Sequence, residues 1–187
     1  MRGAVANAHP RPTHWRNSTG RIEEEPRMPS VLFVCSANQL RSPLAEVLFK
    51  DQLQRRKLAS KWQVGSAGVW ALEGSPAARA AVRMAAARGL DLSAHTARPV
   101  TEGLLRGADL VLVMEQEHQD ALRENFPGLS ERVYLLTSMA SEAGDVEDPM
   151  GMALERVQRL VEDLERLLEA GWPRIRALAR SHDAMNR

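Results

Sequence analysis

Val31-Leu32-Phe33-Val34 is a run of four apolar residues with no polar position to mark a solvent face. A strand of that kind is buried on both sides, which is the situation of a parallel sheet covered by helices. The residues that follow agree. From Ser42-Pro43 to about Lys57, Leu44, Val47, Leu48 and Leu53 recur at helical spacing, and Pro43 suits a first helical turn, where a missing N–H costs nothing. The alternation then repeats. Trp62 to Ala67 reads as a second strand, Ser75-Pro76 opens an Ala-rich helix that Gly89 closes, and Leu110 to Met114 is another buried strand. A polar helix runs to about Asn125, Val133 to Leu136 is the fourth strand, and Leu154, Val157, Val161, Leu164 and Leu168 stripe a last helix. That stripe spans too few heptads for a coiled coil and is read as a helix packed on the sheet. The expected fold class is α/β: a doubly wound, four-stranded parallel sheet with helices on both faces.

The 187 residues suit one domain. Residues 1–28 are expected to be a disordered extension, because the segment up to Arg27 holds Pro10, Pro12, Pro26, five Arg and the run Glu23-Glu24-Glu25 without hydrophobic periodicity. Residues 29–187 are expected to form the folded domain. With 25 Lys plus Arg against 24 Asp plus Glu, the charge balance argues against a nucleic-acid partner. No apolar run has the length of a spanning helix and the N-terminus shows no apolar signal core, so no membrane role is expected. The single cysteine, Cys35, excludes an intrachain disulfide and a cysteine-rich zinc site. His9, His14, His118 and His182 show no metal-ligand spacing. The expected compartment is the reducing cytoplasm, with no cofactor.

The segment Cys35-Ser36-Ala37-Asn38-Gln39-Leu40-Arg41-Ser42 joins the first buried strand to the first helix. Ligands of open α/β sheets bind at that edge. A loop wound ahead of a helix N-terminus turns backbone N–H groups toward one point, making a phosphate site. Helix N-termini and neighbouring positive charge favour a thiolate, the nucleophilic form of cysteine. Arg41 has the planar fork that grips two phosphoryl oxygens, and Ser42 can donate a hydrogen bond to the sulfur. Free cysteines are usually buried and inert, so Cys35 alone would say little; its spacing to Arg41 between strand and helix is what points to chemistry. The nucleotide-binding G-x-x-x-x-G-K-[ST] loop is absent from the sequence.

This C-x5-R-S segment resembles the phosphate loop of the low-molecular-weight protein tyrosine phosphatases. Val64 to Gly68, the stretch Gly89 to Arg98 with His95, the strand Asp109 to Met114 and the Glu147-Asp148-Pro149 motif resemble further family segments in the same order. The resemblance implies a metal-independent phosphatase acting through a phosphocysteine intermediate on phosphotyrosine, or on phosphoarginine, in proteins. It implies Cys35 as nucleophile, Arg41 as phosphate clamp and Asp148 as general acid, with Pro149 keeping Asp148 extended. Asp145 is a fallback acid. Ser36, Ala37, Asn38, Gln39, Leu40 and Ser42 are expected to bind substrate, and Ser66 and His95, with Asn38, to brace the loop. Trp70 is read either as a wall of the site entrance or as a core residue.

Four positions depart from the family pattern. Ala37 stands where Gly is usual, Leu40 where many members have a second Cys, Gln39 where Ile or Thr is frequent, and Met150 where an aromatic wall is frequent. The expected partner is a phosphorylated protein, with a bacterial tyrosine kinase as one candidate. Two other readings remain: an arsenate reductase, which would need an external thiol donor, and a non-catalytic phosphoprotein-binding module, which would need no nucleophile.

Overall fold

The computed structural model describes residues 15–16, 22–23 and 28–185. Strands β1 (Trp15–Arg16) and β2 (Ile22–Glu23) pair antiparallel; the remainder of the segment expected to be disordered falls outside the described residues, apart from Met28. From there the chain runs through β3 (Ser30–Cys35), α1 (Arg41–Arg55), β4 (Gln63–Gly68), α2 (Arg79–Ala86), α3 (Glu102–Gly107), β5 (Leu110–Val113), α4 (Gln116–Asn125), β6 (Val133–Leu135), α5 (Leu136–Met139) and α6 (Leu154–Met185). Strands β4-β3-β5-β6 lie in that order, all parallel.

Strand periodicity divides the core in two. Val31, Phe33 and Cys35 of β3, with Leu110 and Leu112 of β5, face the cluster built on α1 and α6. Leu32, Val34, Val111 and Val113 point the other way, toward Leu105 of α3 and Leu122 of α4. The sheet is therefore covered on both faces, as the unbroken apolar runs require. Phe49 sits at the centre of an aromatic group, edge-on to Phe33 at 5.6 Å and to Trp62 at 5.9 Å, with Trp172 at 6.0 Å.

Two details differ from expectation. Ser75-Pro76 does not open a helix. Ser75 O accepts from Ala97 N (2.7 Å) and Pro76 pairs antiparallel with Thr96, so α2 begins only at Arg79. The last helix runs 32 residues, through Pro173, to Met185. No helix among the described residues is long and apolar enough to cross a membrane.

The strand order positions the site. The chain leaves β3 for β4 on one side and returns to β5 on the other, so the carboxyl ends of β3 and β5 form a topological switch point. A crevice opens where connections diverge in this way. Cys35 closes β3, and Met114-Glu115 directly follow β5.

Candidate active site

Cys35 is 3% exposed, at the last position of β3. The chain then winds through Ser36 to Leu40 and enters α1 at Arg41, where Leu40 O accepts the first intrahelical bond from Leu44 N. Pro43 lies within the first turn of α1, among the N–H positions a helix leaves unpaired. Among the described residues, no acceptor is bonded by the backbone N–H groups of Ser36 through Arg41. Six consecutive amides thus remain available in front of a helix N-terminus, the arrangement that holds a tetrahedral anion.

The loop's shape is set by a buried polar brace. Asn38 has a left-handed backbone (φ 54°), which Asn tolerates better than most residues. Its Nδ2 donates to Ser42 Oγ (2.9 Å) and Ser66 Oγ (3.0 Å), and its Oδ1 accepts from Arg98 N (3.0 Å). His95 Nε2 donates to Asn38 O (2.8 Å). Ser66 Oγ donates in turn to Glu46 Oε2 of α1. Gly68 is required where β4 meets this loop, since a Cβ there would lie 2.6 Å from Ser36 O and 2.8 Å from Asn38 N. Ala37 is not among the residues with positive φ, so its methyl group in place of hydrogen brings no backbone strain. Leu40 is buried, and Gln39 O accepts from Ala78 N (2.8 Å).

Ser42 Oγ lies 3.0 Å from Cys35 Sγ and 3.2 Å from Ala67 O. Its oxygen already receives Asn38 Nδ2, so its one proton can go to the sulfur or to the carbonyl.

Arg41 is 1% exposed and its guanidinium is surrounded by acceptors. Nη1 donates to Val146 O (3.0 Å) and pairs with Glu115 Oε1 (2.8 Å). Nη2 donates to Ser36 Oγ (3.0 Å) and pairs with Asp148 Oδ2 (2.6 Å). A buried guanidinium needs such partners. Asp148 itself is held by Met150 N, which donates to Oδ1 (3.0 Å). Asp145, the fallback acid, receives Gln116 N (2.8 Å) at the start of α4, and Glu147 pairs with Arg156 at the surface.

Trp70 is 55% exposed, which rules out core packing. Its backbone N donates to Ser36 O (2.9 Å), and its ring centroid lies 5.7 Å from that of His118. His118 is fully buried, with Nε2 2.9 Å from Ser36 Oγ and 3.0 Å from Glu115 Oε2. Burial pushes the His118 imidazolium below its ordinary range, and Glu115 opposes that shift only in part. Glu115 and His118 were missed by sequence reasoning about the site. A usable signal existed for Glu115, which directly follows a buried strand at the same sheet edge as Cys35. Nothing in the sequence marks His118.

A thiol at the end of a buried strand, a loop of unpaired amides, a forked cation and a carboxylate bound to it together define a phosphatase of the cysteine type. The comparisons with known proteins specify it further. The family model described as low molecular weight phosphotyrosine protein phosphatase matches residues 30–181. A probable low molecular weight protein-tyrosine-phosphatase, EpsP, from Ralstonia nicotianae is 35% identical over 149 residues, covering 80% of this chain and 97% of that protein. A protein-arginine-phosphatase from Bacillus subtilis is 35% identical over 139 residues, covering 74% and 91%. Among solved structures, the YwlE arginine phosphatase in a variant with a phosphorylated active-site serine superposes with a TM-score of 0.72 at 34% identity, covering 75% of this chain and 91% of that one. A low molecular weight protein tyrosine phosphatase from T. tengcongensis gives 0.71 at 39%, covering 75% and 95%. The chain belongs to the low molecular weight phosphotyrosine protein phosphatase family.

Proposed function

We propose that this chain hydrolyses phosphotyrosine in proteins through a phosphocysteine, with Cys35, Arg41 and Asp148 as its catalytic residues. The observation that carries the reading is Arg41, buried between the phosphate loop and Asp148 with Nη2 2.6 Å from the carboxylate. The clamp for the phosphoryl group and the acid for its leaving oxygen are thereby held on one guanidinium.

In the first step the Cys35 sulfur donates an electron pair to phosphorus, and the bond to the tyrosyl oxygen breaks. Asp148 gives that oxygen its proton, which matters because a phenolate is a basic leaving group. The loop amides and Arg41 hold the non-bridging oxygens throughout. In the second step the Asp148 carboxylate takes a proton from water as the water oxygen attacks phosphorus. The P–S bond breaks and phosphate departs. Ser42, 3.0 Å from the sulfur, stabilises it as nucleophile and as leaving group. Asn38, Ser66 and His95 keep the loop amides aimed, and Trp70, exposed beside Ser36, lines the entrance. The departing sulfur leaves as a thiolate, so the cycle returns to its start with no metal or redox partner required by the chemistry.

The relatives include both protein-tyrosine- and protein-arginine-phosphatases, so phosphoarginine is the competing substrate at the same site. The substrate is a phosphorylated protein in a reducing compartment, the cytoplasm, with a bacterial tyrosine kinase as candidate. Turnover of p-nitrophenyl phosphate in EDTA is expected for the parent and is abolished in Cys35→Ser, with phosphate binding largely retained. Appreciable turnover by folded Cys35→Ser removes Cys35 as nucleophile. Relative kcat/KM on matched phosphotyrosine and phosphoarginine peptides decides the substrate.

A further inference from the structure

Arg41, Glu115, His118 and Ser36 form a closed ring of polar contacts at the mouth of the phosphate loop. Arg41 Nη1 meets Glu115 Oε1 (2.8 Å), Glu115 Oε2 meets His118 Nε2 (3.0 Å), His118 Nε2 meets Ser36 Oγ (2.9 Å), and Ser36 Oγ meets Arg41 Nη2 (3.0 Å). Counting protons around this ring assigns each one. A carboxylate only accepts, so the Glu115 contact requires the proton of a neutral His118 to sit on Nε2. The other tautomer would set a bare Nε2 lone pair against the carboxylate. It would also bury an N–H on Nδ1, an atom that has no hydrogen-bond partner among the described residues. With Nε2 as donor, its one hydrogen is shared between Glu115 Oε2 and Ser36 Oγ, and Ser36 Oγ also receives a hydrogen from Arg41, which can only donate. Both lone pairs of the hydroxyl are then occupied. Its own proton is left over, and no acceptor among the described residues takes it.

We propose that the Ser36 hydroxyl is a hydrogen-bond donor to the phosphoryl group held in the loop, and that His118 is the positioning residue that fixes this polarity. Ser36 is the second residue of the cradle and only half-buried, and its oxygen shares Arg41 Nη2 with Asp148. Its proton, with no protein acceptor among the described residues, is free to turn toward an anion seated beside that guanidinium. His118 touches no substrate and acts through Ser36, which is why a buried imidazole sits between α4 and the loop. The inference rests on the phosphatase reading for its relevance to catalysis, but the binding it describes is measurable without turnover.

The test uses the full chain and inorganic phosphate, followed by calorimetry and by competitive inhibition of p-nitrophenyl phosphate hydrolysis. A hydrogen bond to a charged group is worth enough that Ser36→Ala is expected to weaken phosphate about tenfold or more. Ser36→Thr, which restores the hydroxyl, recovers most of the affinity. His118→Ala costs less than Ser36→Ala, and adding it to Ser36→Ala costs nothing further, because its effect passes through the hydroxyl. His118→Gln keeps an N–H donor, recovers part of the loss, and serves where His118→Ala does not fold. Phosphate affinity unchanged in Ser36→Ala overturns the donor role. Equal effects of His118→Ala with and without Ser36 overturn the positioning role. If the parent binds phosphate with this pattern but hydrolyses nothing, the enzymatic reading fails while the binding inference stands; if the parent is active and Ser36→Ala matches it throughout, the inference alone fails.

Discussion

The two sides of the phosphate loop are held by different kinds of interaction. Toward β4 the contacts among Asn38, Ser42 and Ser66 are hydrogen bonds between uncharged groups, His95 Nε2 donates to Asn38 O, and charges enter only at the edge, on Glu46 and on Arg98, whose Nε donates to Ser66 O (2.9 Å). Toward α4 and the 145–150 loop the contacts are ionic, with Arg41 between Glu115 and Asp148. Neutral buried bonds are directional, and an incoming anion has nothing to exchange with them. Carboxylates on a guanidinium are different, because a phosphoryl oxygen is an equivalent partner for the same fork. One side therefore fixes the geometry of the cradle, and under the proposed function the other would change partners when the substrate arrives.

Substitutions separate these sides. The largest effect is expected for Arg41→Lys, where a point charge replaces the fork: about 10³-fold or more in kcat/KM, with phosphate affinity falling as well. A loss confined to kcat would contradict the clamp. Asp148→Asn comes next, with losses of about 10²–10⁴ for alkyl phosphates and much smaller ones for activated aryl phosphates. A uniform loss across leaving groups would make Asp148 a structural residue instead. Asp145→Asn is the control; its amide oxygen can still receive Gln116 N, and turnover should stay within about twofold.

On the neutral side, Asn38→Ala strands the hydroxyls and the Arg98 amide that now bond to it and puts an alanine at positive φ. Each stranded buried group costs about 1–3 kcal/mol, so Tm and kcat/KM should fall together, whereas Asp148→Asn should lower activity with little change in Tm. Reversal of that pattern would break the division between the two sides.

The smallest effect concerns pH. His118 faces Glu115, Arg41, Asp145 and Asp148, and its folded-state proton affinity lies below the ordinary value of 6.5. The unfolded chain then binds the proton more readily, so this group's contribution to stability is complete above about pH 6.5 and declines as pH falls toward the lowered folded value. Thermal melts of the parent and of His118→Gln between pH 7.5 and 5 should diverge, with the parent losing more on acidification. Parallel curves would show that His118 stays neutral in neither state more than the other.

Much of this was legible from sequence because it rests on short-range pattern. The continuous apolar run of β3, the Pro43-led helix and the Cys35-to-Arg41 spacing are all local, whereas the structure brings Asp148 to Arg41 across 107 residues. What escaped depends on contacts between distant segments. Ser75-Pro76 carries a helix-opening signal, but pairing with Thr96-Ala97 overrides it. Helix α3 was unread although Thr101 caps it, its Oγ1 receiving Leu104 N at 3.2 Å. His118 looked inert because a histidine on a polar helix carries no signature; only the docking of α4 beside the loop sets it against Ser36.

Leu40 has a consequence of another kind. It is buried in the phosphate loop, and no other residue of the chain can supply a second thiol. A thiolate oxidised by peroxide becomes a sulfenic acid, which is recoverable while a thiol or a backbone nitrogen can cap it. With Leu40 in place of a neighbouring cysteine, no intramolecular disulfide can form, and Cys35 is expected to advance to sulfinic and sulfonic acid unless small thiols intervene. Phosphate in the cradle should slow that advance. Mass spectrometry of Cys35 after peroxide, then an activity assay after dithiothreitol, measures it; full recovery with no sulfinic species would show that another cap protects the sulfur. A chain with this loop thus lacks an internal redox fuse: its activity under peroxide is governed by the thiol supply of its surroundings.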